Sequence, residues 1–151
     1  MLTALPESFY RCREELALLF PVHWEKLAMD LDAVPLDPDY STYLELENKG
    51  QLMLVTLRDT GRMVGYWCAT VAPALHYQST LTASLDMWNV LAEYETSVAT
   101  MILMRAVERE YARRGVKRSF VGEKIHKPCG RLYKLFGYEP VELHYSKMLE
   151  N

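Results

Sequence analysis

Apolar residues recur at helical spacing near the start of the chain and switch to strand-like runs in the middle. Ser8 is placed to cap a helix through Leu16–Phe20, and Pro21 predicts its interruption. Val22, Trp24, Leu27 and Ala28 then predict a second short helix. Pro35 and Pro38 predict a loop, and Pro38 opens a helix from Asp39 to Lys49 that Gly50 ends. Gln51–Leu57 and Met63–Val71 predict two strands joined by a tight hairpin at Asp59-Thr60-Gly61-Arg62. A further strand is predicted from about Leu81 to Leu91. Over Thr96–Arg114, the stripe Ile102, Leu103, Ala106, Val107 and Tyr111 predicts an amphipathic helix stopped by Gly115, with Glu110 paired to Arg114. Val116–Gly122 predicts a strand, His126–Phe136 a short helix closed by Gly137, and Val141–Leu149 a last strand with Val141, Leu143 and Tyr145 on one face. Helices followed by β-β-β-α-β-α-β imply an α/β or α+β sheet with helices packed on it.

At 151 residues, half of them hydrophobic and a quarter charged, the chain has the balance of one globular domain, 1–151, with a helical part over 1–50 and the sheet over 51–151. No apolar run reaches the ~20 residues that span a bilayer. Arg11, Arg13, Glu14 and Glu15 break any secretory h-region, and three widely spaced cysteines fit a reducing cytoplasm. Charge is uneven: residues 1–100 carry 6 Lys/Arg against 14 Asp/Glu, and residues 101–151 carry 11 against 6. The basic run from Arg105 to Lys134 offers an anion site. Aromatic residues do not interleave with it, which disfavours single-stranded nucleic acid. His126-x-x-Cys129 lacks a second ligand pair, so no metal is expected.

Several segments carry a resemblance. Arg62–Tyr66 (RMVGY), Asn89–Tyr94 (NVLAEY) and Gly130–Glu142 (GRLYKLFGYEPVE) are similar, in this order, to segments of the GNAT superfamily of N-acetyltransferases. HWEKLA, PLDPD, HYQSTL and YSKML resemble a phage and prophage subgroup of that family. The resemblance covers about residues 22–149. It implies a mixed, mostly antiparallel sheet with helices on both faces and a splayed strand pair that receives acetyl-CoA. The cofactor's diphosphate would sit on a helix N-terminus, where free N–H groups and the helix dipole favour an anion. Cofactor contacts would come from Val90, Leu91, Thr96, Ser97, Val98, Ala99, Thr100, Lys127 and Arg131. The family's R-G-x-G-x-G/A turn is degenerate here. Glu95 replaces the Arg, and Thr96, Val98 and Thr100 replace the glycines. A carboxylate ~4–6 Å from a diphosphate costs on the order of 1–4 kcal/mol, so impaired cofactor binding is expected.

The resemblance makes Tyr133 the acid that protonates the leaving thiolate. Asp86 is the first choice of base, then Glu93, then Glu123. His76, Tyr77 and Trp88 are expected at the substrate mouth. Two functions follow: an N-acetyltransferase for a small amine or a protein amine, or an inactive GNAT-fold phage protein that binds a host or virion protein. Pairing of the terminal strand across a two-fold axis would give a homodimer.

Overall fold

The computed structural model describes residues 1–150. Its order is β1 (Leu2–Pro6), α1 (Phe9–Leu27), α2 (Tyr40–Asn48), β2 (Leu52–Asp59), β3 (Arg62–Ala74), β4 (Tyr77–Val90), a 3₁₀ turn (Ala92–Tyr94), α3 (Ser97–Arg114), β5 (Arg118–Phe120) and α4 (Gly130–Leu135). The five strands lie in sequence order, antiparallel from β1 to β4, with β5 parallel to β4.

Helices cover both faces of the sheet. On one, α1 buries Phe9, Cys12, Leu16 and Phe20 with Leu52, Leu54, Tyr66 and Cys68. On the other, α3 buries Leu103, Met104, Val107 and Tyr111 with Met53, Val55, Leu57, Trp67 and Ala83. This two-sided burial makes β2 almost continuously apolar rather than alternating. Glu110, nearly fully buried on α3, accepts from Arg113 and Arg114, and Arg114 also donates to the Leu52 carbonyl. The expected Glu110–Arg114 pair is therefore also a tie between helix and sheet.

The β2–β3 hairpin turns where expected. Thr60 and Gly61 both adopt positive φ (49° and 90°), the geometry that matches strand twist in a two-residue turn. Gly115 ends α3 in the left-handed region. Gly65 is required by space: a Cβ there would stand 2.9 Å from the Asn89 carbonyl oxygen.

Four expectations need correction. Pro21 does not split the first helix: α1 runs through it, with Ser8 as its cap. A proline removes one helical hydrogen bond and crowds the carbonyl four residues back, here that of Ala17; burial of Phe20 and His23 on either side keeps the helix against the sheet. Residues 2–6 add a strand that the helical reading of the N-terminal part left out. The short helix begins at Gly130 rather than His126. The terminal strand is not formed: residues 139–150 carry no regular secondary structure and are exposed.

Candidate active site

Two irregularities of β4 build the site. The first is a bulge. Cys68 of β3 pairs with Met87 and Ala69 with Leu85, which leaves Asp86 as an extra residue in β4. A bulge re-aims side chains. Asp86 and the following Met87 both reach the α1–α2 side, where Asp86 Oδ2 accepts from the Tyr43 hydroxyl of α2 at 2.5 Å and Met87 packs on the core. The second is a parting of strands. β5 pairs with β4 only over Thr82–Ser84, while β4 runs on to Val90. The β4 backbone beyond the bulge has no strand beside it on that edge.

The gap opens into a cleft of about 1050 Å³. Its walls include Leu85–Val90 of β4, His23, Trp24 and Lys26 of α1, Tyr43 of α2, and Glu123, Lys127 and Cys129 from the segment after β5. Thr96, Ser97 and Thr100, at the start of α3, close one end. His144 of the terminal segment reaches the rim.

At that end, Thr96 caps α3 by accepting from the Ala99 N–H at 3.2 Å. The turn contains no left-handed residue: Thr96 is extended and Val98 is helical. Glycine is therefore not needed here for conformation. Glu95 pairs with Lys26 of α1 and with Lys127 (3.3 Å). Its carboxyl is held below the usual range because these lysines outweigh its partial burial. Lys26 also donates to Asn89 Oδ1 at 3.3 Å. The acidic residue at the turn thus lies between two cations that face the same cleft.

His23 lies deeper in the same wall. Its Nδ1 is 2.6 Å from the hydroxyl of fully buried Tyr66. Burial first, then the charges of Lys26 and Lys127, bring its pKa down to about 4. The ring is neutral at pH 7.

Tyr133 sits on α4, behind the cleft rather than in its lining, and is buried. Its hydroxyl accepts from Trp88 Nε1 at 3.0 Å and donates to the Gly122 carbonyl at 2.9 Å. Burial, followed by the neighbouring Cys129, pushes its pKa well above that of an ordinary phenol.

No protein-family model and no curated protein matches the chain. Among solved structures, a ribosomal-protein-alanine N-acetyltransferase from Brucella melitensis aligns with a TM-score of 0.77 at 16% identity, covering 100% of this chain and 99% of that one. The chain has the GNAT acetyltransferase fold. An aminoglycoside acetyltransferase from an uncultured soil metagenomic sample, in complex with sisomicin, aligns with a TM-score of 0.74 at 15% identity over 99% and 97% of the two chains. The acetyltransferase AAC(6')-Iy, in complex with a CoA-containing bisubstrate analog, aligns with a TM-score of 0.65 at 16% identity, 99% of each chain being covered.

Within this GNAT fold, Asp86, Trp88, Val90, Thr96, Ser97, Thr100 and Lys127 all line the cleft. Leu91 and Ala99 are buried beside it, and Val98 is exposed next to the α3 N-terminus. Glu93 lies outside the lining and pairs with Arg62 at 3.4 Å. His76 and Tyr77 stand at the far end of β4 from the cleft, and Arg131 projects from α4 outside its lining. Glu123, the third choice of base, does line it, and its Oε2 accepts from the Cys129 N–H at 2.5 Å. Sequence reasoning missed Lys26, His23, Tyr43 and Asn89. His23 and Lys26 are three apart on one helix and share a face, a spacing visible in HWEKLA.

Among the described residues, no group of three or more His, Cys, Asp or Glu side chains could hold a metal, and no helix is long and apolar enough to cross a membrane.

Proposed function

We propose that this protein is an acetyl-CoA-dependent N-acetyltransferase whose acceptor is an amine on a small molecule or a protein. The observation that carries the reading is the departure of β4 from β5 after Ser84, which opens a cleft leading from Asp86 to the N-terminus of α3. The donors present suit the cofactor: unpaired β4 backbone along the gap, free N–H groups at the start of α3, and two lysines beside them. Solved acetyltransferases of the same fold, one bound to a CoA analog and one to an amine antibiotic, support the same reading.

Acetyl-CoA would supply the acetyl group as an activated thioester. Asp86, aimed into the cleft by the bulge, takes the proton from the acceptor amine as it attacks. Backbone N–H groups of β4 donate to the oxygen on which charge develops. Tyr133 returns a proton to the leaving thiolate through a shift of its hydroxyl away from Gly122. Glu95 weakens cofactor binding by holding Lys26 and Lys127, whose charges would otherwise face the diphosphate.

A second reading is an inactive GNAT-fold phage protein that binds a host or virion protein in the cytoplasm. It is favoured by the Tyr133 hydroxyl, which is engaged on both sides by Trp88 and Gly122 and lies outside the cleft lining. Calorimetric titration with acetyl-CoA separates the two. Micromolar binding supports the enzyme; a folded protein that gives no heat supports the second reading.

A further inference from the structure

We propose that His23 holds the acceptor: its Nε2–H donates to a carbonyl carried near the amine, on a molecule whose remaining body is apolar. This rests on the acetyltransferase reading, which makes the molecule in the cleft an acceptor.

The open nitrogen of the His23 ring is a donor. The Tyr66 hydroxyl is fully buried, and among the described residues its one partner is His23 Nδ1, 2.6 Å away. If Nδ1 carried the proton, the phenolic hydrogen would be stranded in the core without an acceptor. The hydroxyl therefore donates to Nδ1, and the neutral ring carries its proton on Nε2. Nε2 has no partner of its own, yet no buried polar side-chain atom among the described residues goes without one. Nε2 is thus on the open side of the ring, where His23 lines the cleft. A neutral N–H presented in this way suits a carbonyl oxygen and offers nothing to a cation.

The base is within reach of the same ligand. Tyr66 pairs across β3 and β4 with Asn89, three residues on from Asp86. At ~3.3 Å per residue that is about 10 Å of strand, which two ends of one small acceptor can span with the help of the side chains. The walls are apolar: Trp24 and Leu27 of α1, with Val34 and Leu36 of the loop after it. Val34 and Leu36 are 48% and 38% exposed, surface that an apolar ligand would cover. Charge in the cleft is nearly balanced. Asp37, Asp86, Glu95 and Glu123 stand against Lys26, Lys124 and Lys127, and Glu95 already pairs with two of those lysines. A polycation would need several free carboxylates, whereas one amine needs only Asp86.

The test is calorimetry on the full chain, without acetyl-CoA, with three probes: L-phenylalaninamide, phenethylamine, which lacks the carbonyl, and sisomicin, a polycation. L-Phenylalaninamide should bind about fivefold more tightly than phenethylamine, the effect of one hydrogen bond, and sisomicin should bind more weakly than either. His23→Leu combined with Tyr66→Phe removes both partners together, so that neither is stranded, and should abolish the difference between the first two probes. A measurement that needs no variant is the nitrogen NMR spectrum of the imidazoles, in which His23 should carry its proton on Nε2. A proton on Nδ1, equal binding of the two aromatic amines, a preference that survives the double variant, or tighter binding of sisomicin would each overturn the assignment. So would an absence of binding by all three. Acetyl transfer to the same probes is scored separately, by release of the CoA thiol. Binding in the expected order without transfer would sink the enzyme and leave His23 as assigned; transfer to sisomicin alone would do the reverse.

Discussion

The indole N–H of Trp88 donates to the hydroxyl of Tyr133 at 3.0 Å, tying the strand that lines the cleft to the helix behind it. The Tyr133 hydroxyl in turn donates a hydrogen bond to the Gly122 carbonyl at 2.9 Å, so the phenol is a bridge before it is an acid. Tyr133→Phe strands the indole donor and the Gly122 carbonyl. A buried polar group left unpaired costs about 1–3 kcal/mol, so the thermal midpoint should fall. If Tyr133 also protonates the thiolate, turnover should drop by at least about tenfold while acetyl-CoA affinity changes less than about twofold. Steady-state kinetics beside calorimetry check this; an unchanged rate would assign Tyr133 to structure alone.

Glu95 leads to the second prediction. Glu95→Gln frees Lys26 and Lys127 from their shared carboxylate and should strengthen acetyl-CoA binding by roughly fivefold at low salt, less at high salt. Glu95→Arg should fail to do so and should destabilise the fold, since a third cation would face two lysines. Titrations of both variants at two ionic strengths decide the matter. Equal affinity for Glu95→Gln and the parent chain would show that the two lysines do not face the cofactor.

Stability should depend on pH through His23. Its folded pKa, about 4, lies below the ordinary 6.5, so the unfolded chain binds the proton more readily. Stability is then full above pH 6.5 and declines as pH falls from 6.5 to 4, by up to about 3 kcal/mol. Urea denaturation at pH 7 and pH 5 measures the difference, and His23→Gln should shrink it. A slope that survives the substitution would place the titration elsewhere.

Gly65→Ala tests the packing under the site. The new methyl would meet the Asn89 carbonyl oxygen at 2.9 Å and Val90 Cγ2 at 3.1 Å. Overpacking of this kind costs about 1–3 kcal/mol. Chemical denaturation should show that loss, and acetyl-CoA affinity should fall as well, because the strain lands on the two residues that end β4. Parent-like stability would mean that the strand yields without cost.

Local chemistry made much of this fold legible. The positive-φ turn at Thr60–Gly61, the glycine stop at Gly115 and the stripe of α3 each announce themselves within a few residues. Pro21 misled because its penalty is local, whereas burial of Phe20 and His23 against the sheet is tertiary. The terminal strand misled for the opposite reason: Val141, Leu143 and Tyr145 have the right alternation, but alternation alone supplies no partner strand, and the three side chains stay exposed. In the site, Asp86 and the α3 N-terminus were readable from their positions near the strand and helix ends. Lys26 was not, because its partner Glu95 lies far along the chain and only the fold brings them together. The objection raised by Glu95 and Val98 likewise depended on neighbours: one is paired with lysines, and the other is helical.

Asp86 is an extra residue in β4. Without it, Leu85, Met87 and Trp88 would alternate as in a regular strand and keep their present faces and partners on β3. The bulge therefore inserts one carboxylate, held by Tyr43, into the cleft wall without turning its neighbours. A single missing codon at Asp86 would leave a straighter strand and an intact sheet around a cleft that has lost its acid–base group.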